Sequence, residues 1–185
     1  IISPPKNLFN TNLFMKLEFF QHSGCFKIRG AINNILNLSK MQRNLGVTAV
    51  SAGNHAIASS YAAKMFSIKN KIFIYKNANK YRLNKVKSYE ANLFLTDPVN
   101  AFKDVENASK IEGYYFIHPF EGEKTIQGTA SLGFEICNQL NHIDNIIISV
   151  GGGGLISGIG SIVKQRFPKC RVIGIEPKGA NGKSQ

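Results

Sequence analysis

The sequence predicts an α/β fold built on a parallel sheet. Short apolar, β-prone runs alternate with stretches of helical spacing along the whole chain, the pattern of βαβ units. Two glycine-containing turns, one after Val50 and one after Val150, each join such a run to a helix. No internal repeat or low-complexity segment interrupts the alternation. In sheets of this kind ligands gather at the strand C-termini, where loops lead into helix N-termini.

The elements are expected in this order. Residues 13–17 form a short apolar strand candidate. Residues 28–37 have helical spacing, with Ala31, Ile32, Ile35 and Leu38 on one side. A buried strand over 47–50 runs into the turn Ser51-Ala52-Gly53-Asn54-His55, and a helix follows over 56–65. Strand 71–75, helix 80–89, strand 92–95, helix 99–111 and strand 114–117 continue the series. A helix over 129–140, a strongly apolar strand over 146–150, a helix over 155–166 and a strand over 172–175 complete it.

Composition narrows the class. A chain of 185 residues can bury one good core, or form one domain and part of a second. With 43% hydrophobic and 18% charged residues it reads as an ordinary globular protein. No apolar run approaches bilayer length, so no membrane association is expected. Residues 1–10 lack a basic region followed by an apolar one, so no signal peptide is expected. Cys25, Cys137 and Cys170 form no CxxC pair and no His/Cys cluster, which argues against a zinc site or a disulfide framework. A reducing cytoplasm fits them best. The net charge of +12 is spread from Lys6 to Lys183, and no nucleic-acid motif accompanies it. Solvated surface is therefore the reading preferred over specific nucleic-acid binding, although an anionic cofactor or substrate would gain from the field.

Three motifs carry chemistry. Gly151-Gly152-Gly153-Gly154 lets the backbone turn sharply and approach a ligand, with N–H groups and a helix N-terminus converging on a phosphate. No Gly-Lys-Ser/Thr follows, so it is not a Walker loop, and a tight turn without a ligand is its plain alternative. The turn Ser51-Ala52-Gly53-Asn54-His55 offers small residues and a helix N-terminus to a carboxylate. Equally, Ser51 or Asn54 can simply cap the helix. In Gly24-Cys25-Phe26-Lys27-Ile28-Arg29-Gly30, apolar neighbours would desolvate Lys27 and make its amine nucleophilic. By spacing alone, Lys27 is better read as a surface lysine.

Together and in this order, the three segments resemble the threonine/serine dehydratase (ammonia-lyase) and serine racemase family of fold-type-II pyridoxal-phosphate enzymes. Lys16-Leu17-Glu18 with Gln21, Lys87-Ser88-Tyr89, His118-Pro119-Phe120, Gln127-Gly128-Thr129 and Ile175-Glu176-Pro177 extend the resemblance over essentially the whole chain. It implies pyridoxal 5'-phosphate as cofactor and Lys27 as the catalytic, Schiff-base lysine. It places Phe26 beside the cofactor ring, Asn54 on its phenolic oxygen, and Gly151, Gly152, Gly153, Gly154 and Leu155 around its phosphate. Ser51, Gly53, Asn54 and His55 would hold the substrate carboxylate. The freed Lys27 amine would remove the α-proton of L-threonine or L-serine. The β-hydroxyl would leave, and the product would hydrolyse to a 2-oxo acid and ammonia. The racemase branch has a serine as second acid/base where this chain has Ala52, which has no proton to give. A dehydratase is therefore expected rather than a racemase.

The resemblance also implies a two-domain, tryptophan-synthase-β type architecture, truncated at the C-terminus. Residues 1–40 and 130–185 would belong to the large cofactor domain and 41–129 to a small mobile domain. Homo-oligomers, dimers or tetramers, are usual in the family. Cys25 stands where the family has Ser, Ile57 replaces a usual Gln, and small residues before Gln127 are missing. The family continues beyond Glu176-Pro177 and supplies there a Ser or Cys to the cofactor's pyridine nitrogen. The racemase's cation site pairs the glutamate at 176 with an acid where this chain has Gly182, so no metal is expected. A non-catalytic remnant that binds phosphate ligands or a partner is the rival reading.

Overall fold

The computed structural model describes residues 1–4 and 11–179; Gly182 and Lys183 lie outside them, as does Lys6. Among the described residues there are six strands and seven α-helices, alternating after an initial pair of helices. They are α1 (Lys27–Leu36), α2 (Lys40–Leu45), β1 (Val47–Ser51), α3 (Asn54–Met65), β2 (Asn70–Tyr75), α4 (Lys80–Ser88), β3 (Leu93–Thr96), α5 (Ala101–Lys110), β4 (Tyr115–Phe116), α6 (Glu123–Gln139), β5 (Asn145–Ser149), α7 (Gly154–Arg166) and β6 (Arg171–Ile175). Every strand pairing is parallel. The strands form a four-stranded sheet, ordered β3-β2-β1-β4, and a separate pair, β5-β6.

The four-stranded sheet is covered on both faces, as continuous apolar strands require. Ala49, Ile72 and Ile74 pack under α3 and α4 with Ala56, Ile57 and Val86. Val50 and Phe73 face the other way, against Ala101, Val105 and Ala108 of α5. Helix α1 packs on α3 through Ile28, Ala31, Ile35, Ala58 and Ala62. The β5-β6 pair is covered on one face by α6 and α7, through Leu132, Ile136, Ile148, Ile159 and Val163. Its other face leaves Ile147, Ile173 and Ile175 exposed.

Three elements depart from expectation. Residues 13–17 form no strand, because a single bridge, Ile2 to Met15, is the only pairing described there. A 3-10 turn at Glu18–Phe20 follows instead. Helix α2 was not anticipated, though Ser39 and Gln42 form a reciprocal capping box that starts it. Helix α6 begins at Glu123 rather than 129 and so runs through Gly128. That glycine is held in the helix by contact: a Cβ there would lie 2.6 Å from the Gly30 Cα, so α1 and α6 cross backbone to backbone.

Candidate active site

Both turns singled out in the sequence lie where parallel strands end. Ser51 closes β1, its hydroxyl accepts the Gly53 N–H at 3.0 Å, and α3 begins at Asn54. The first bond of the helical ladder is Ile57 N–H to Gly53 O, so the N–H groups of Asn54, His55 and Ala56 head the helix without that ladder. No side chain caps it. Ser51 is half-buried, Ala52 and Asn54 are exposed, and His55 is buried. The His55 ring donates from Nε2 to the Ile117 carbonyl, 2.8 Å away. Burial drives its pKa down to about 4; the Ile117 bond opposes this and the Lys27 charge adds to it. His55 is thus a neutral donor at physiological pH.

The tetraglycine joins β5 to α7. Gly153 takes φ +91, a left-handed conformation that glycine adopts at no steric cost, and Gly154 opens the helix. Gly151 and Gly153 have open space where a side chain would stand. At Gly152 a Cβ would collide with the Phe120 ring, and at Gly154 with the Phe120 carbonyl. The buried Thr129 hydroxyl lies 2.8 Å from the Gly154 carbonyl and 2.9 Å from that of Ile126, which ties the glycine turn to α6.

Lys27 opens α1 and its Nζ donates to the Pro119 carbonyl. The Phe26 ring centroid is 5.1 Å from Nζ. Burial lowers the lysine's pKa, a little offset by Cys25. A salt-bridged guanidinium steadies this helix: Arg29 pairs with Glu18 at 2.7 Å and with Glu135 of α6 at 2.7 Å.

One small cavity, about 10 Å3, is lined by Phe26, Lys27, His55, Phe120, Gly154 and Leu155. The structure therefore brings together the lysine, the end of the glycine turn and the head of α3. Of the expected site residues, Ser51, Gly53, Asn54, Gly151, Gly152 and Gly153 do not line this cavity. Pro119, Phe120, Thr125 and Thr129 do line it and had no role assigned from sequence. The His118-Pro119-Phe120 and Gln127-Gly128-Thr129 segments were the signal available for them. His118 shapes this stretch by accepting the Glu121 N–H at 2.8 Å on Nδ1.

A group with an aldehyde and a phosphate fits this donor set. The amine would supply a Schiff-base partner, and the bare glycine turn with its helix N-terminus would face a phosphate. The volume is smaller than such a group, and Phe120 and Pro119 are the residues that stand against the glycine turn and the lysine.

The family model described as "Pyridoxal-phosphate dependent enzyme" matches residues 3–183. The chain belongs to the pyridoxal-phosphate dependent enzyme family. Among curated members of that family, the phenylserine dehydratase of Ralstonia pickettii is 44% identical over 92% of this chain and 53% of its own length. The catabolic L-threonine dehydratase of Escherichia coli K12 is 38% identical over 92% of this chain and 52% of its own length. Maize serine racemase superposes with a TM-score of 0.91 at 36% identity, over 95% of this chain and 54% of that one. The chain spans about half the length of the curated relatives it matches. Pyridoxal phosphate, the cofactor expected from the sequence, is that of the family, and the fold is the fold-type-II arrangement of parallel strands.

Proposed function

We propose that this chain belongs to a dehydratase that eliminates water from L-threonine or L-serine, giving a 2-oxo acid and ammonia. The observation that carries the reading is the placement of the desolvated Lys27 amine in one cavity with Gly154 and Leu155 of the glycine turn. When bound, pyridoxal phosphate would accept the electron pair left on the substrate's α-carbon. Gly151 to Leu155 would hold its phosphate, Phe26 its ring face and Asn54 its phenolic oxygen. Ser51, Gly53, Asn54 and His55 would seat the substrate carboxylate, with the N–H groups at the head of α3 facing the negative charge.

Lys27 then handles the proton. Burial favours its neutral amine, so Nζ can accept the α-proton of a substrate carried beside it. Neutral His55 donates without competing for that proton. Eliminating water needs one base, on one face, for the α-proton, and the β-hydroxyl leaves as water on taking up a proton, for which the Lys27 amine so protonated is a donor at hand. Ala52, exposed at the turn, has a methyl group where a second acid/base would be required for racemisation. The three cysteines are free, in keeping with a reducing cytoplasmic setting. No helix of the described residues is long and apolar enough to cross a membrane. A homo-oligomer is proposed from the family alone. Residues 41–129 are proposed as the mobile body against 1–40 and 130–185; the two sheets, within 47–116 and 145–175, support that division.

Reconstitution with pyridoxal phosphate tests the reading. A visible Schiff-base absorbance, a borohydride-stable adduct on Lys27 and ammonia with a 2-oxo acid from L-threonine are expected. A colourless protein whose Lys27 resists trapping would favour the binding remnant. D-serine as the main product from L-serine would favour the racemase.

A further inference from the structure

We propose that Arg82 is a positioning residue for the substrate, drawing the α-carboxylate onto the turn at residues 51–54. The inference rests on that turn being the carboxylate seat.

Arg82 lies in the first turn of α4, which follows β2, while the turn at 51–54 follows β1. The two strands are parallel neighbours, with Ser51 opposite Ile74. Both segments therefore stand at the same sheet edge, where ligands of such folds collect. Arg82 reaches across from one strand end to the next, and its Nη1 donates to the Ala52 carbonyl at 3.4 Å.

The guanidinium lies directly against Gly53. A Cβ at this position would be 2.6 Å from Cζ, 2.6 Å from Nη1 and 2.7 Å from Nε. Gly53 has φ −176, which lies outside the left-handed region. What it provides is room for a cation. The same turn already heads α3 with N–H groups of partial positive charge. Arg82 adds a whole positive charge at the same spot.

Among the described residues, the Ala52 carbonyl is the one hydrogen-bond partner of this guanidinium, and no acidic side chain pairs with it. A guanidinium has five N–H donors in a planar fork that matches a carboxylate. The ligand chemistry is thus a single carboxylate bound by one charged fork and the helix head together. Because the α-carboxylate is present in substrate and transition state alike, Arg82 contributes to binding more than to the chemical step.

The experiment compares wild type, R82Q and R82K as complete, cofactor-loaded enzyme. L-Threonine is titrated against L-threoninamide, which lacks the carboxylate, and the change in cofactor absorbance gives an equilibrium Kd. Initial rates of ammonia release give KM and kcat. A charged hydrogen bond is worth enough to predict about a tenfold or greater rise in Kd and KM for L-threonine in R82Q. The kcat stays within about twofold, as expected when uniform binding is removed. The Kd for L-threoninamide is unchanged, and R82K recovers part of the loss. Equal L-threonine affinity in wild type and R82Q, or equal weakening of acid and amide, overturns the proposal. Absence of any L-threonine response in wild type overturns the dehydratase reading with it, and that result is distinct from a wild type that binds and an R82Q that binds as well.

Discussion

Lys27 Nζ donates to the carbonyl oxygen of Pro119, the residue beside the ring that covers the glycine turn. The amine is thus held by the same short segment that packs against the glycine turn. A cofactor at Nζ would take the place of the Pro119 carbonyl, and one on the glycine turn would meet the Phe120 ring. Replacement of Lys27 by alanine is expected to abolish the visible absorbance and the borohydride adduct while the fold persists, since Lys27 lies outside the main apolar clusters. A second consequence is local. The Lys27 charge helps hold His55 low, so His55 in K27A should titrate higher than in wild type, as followed by NMR of the ring.

Phe120 and Gly152 should behave as a coupled pair. A methyl group at Gly152 would overlap the Phe120 ring, so G152A is expected to cost about 1–3 kcal/mol through overpacking. F120A removes the obstacle, and the cost of G152A should fall in that background. Denaturant melts of the four proteins would give a coupling of about 0.5–3 kcal/mol, the range for residues in contact. F120A alone should also take up pyridoxal phosphate faster than wild type, measured by the growth of the visible band.

What the sequence made legible was local. Alternation and apolar content placed β1 and β2, because a strand buried on both faces must be apolar throughout, and the apolar run placed β5 although only one of its faces is covered. The glycine turn and the Ser51 turn were readable because their neighbours in sequence are also their neighbours in space. Residues 13–17 looked like a strand but lack a ladder, and pairing is not written in a single segment. The start of α6 was missed because Gly128 argues against helix, while its contact with Gly30 of α1 is what keeps it there. Phe120 and Arg82 reach the site from distant segments of the chain. Their importance follows from which glycine each one covers: the His118-Pro119-Phe120 segment stood out by resemblance without pointing to Gly152, and nothing around Arg82 in sequence points to Gly53.

Thr129 ties the glycine turn to α6, and its removal should loosen the cradle without emptying space. Valine has nearly the same shape but cannot donate to the Gly154 carbonyl, now 2.8 Å from the hydroxyl. Loss of a buried hydrogen bond of this kind costs about 1–2 kcal/mol. T129V should therefore show a lower denaturation midpoint and weaker affinity for pyridoxal phosphate, while T129S, which keeps the hydroxyl, stays close to wild type in affinity. Equal loading of T129V and wild type in a cofactor titration would show that Thr129 matters to the fold alone.

His55 makes stability depend on pH in a predictable direction. Burial lowers its pKa from 6.5 to about 4 in the folded chain, so the unfolded chain binds this proton more readily than the folded one. Stability then rises with pH wherever the unfolded state carries the extra proton. The contribution is complete above about pH 6.5 and is lost progressively as pH falls toward 4. Protonation would also leave a charged imidazolium buried close to Lys27 and His118, both of which already disfavour it. Thermal melts between these limits should show the midpoint falling with pH. H55Q keeps a donor for the Ile117 carbonyl but cannot be protonated, so it should lose most of that slope. An unchanged slope in H55Q would assign the acid sensitivity to another group. His118, also lowered from 6.5 by burial, acts in the same window and needs its own H118Q control, whereas Glu135, pulled down to about 2 by its bond to Arg29, loses its contribution only as pH falls below about 4.5. The two windows barely overlap, so the shape of the melt curve against pH separates them.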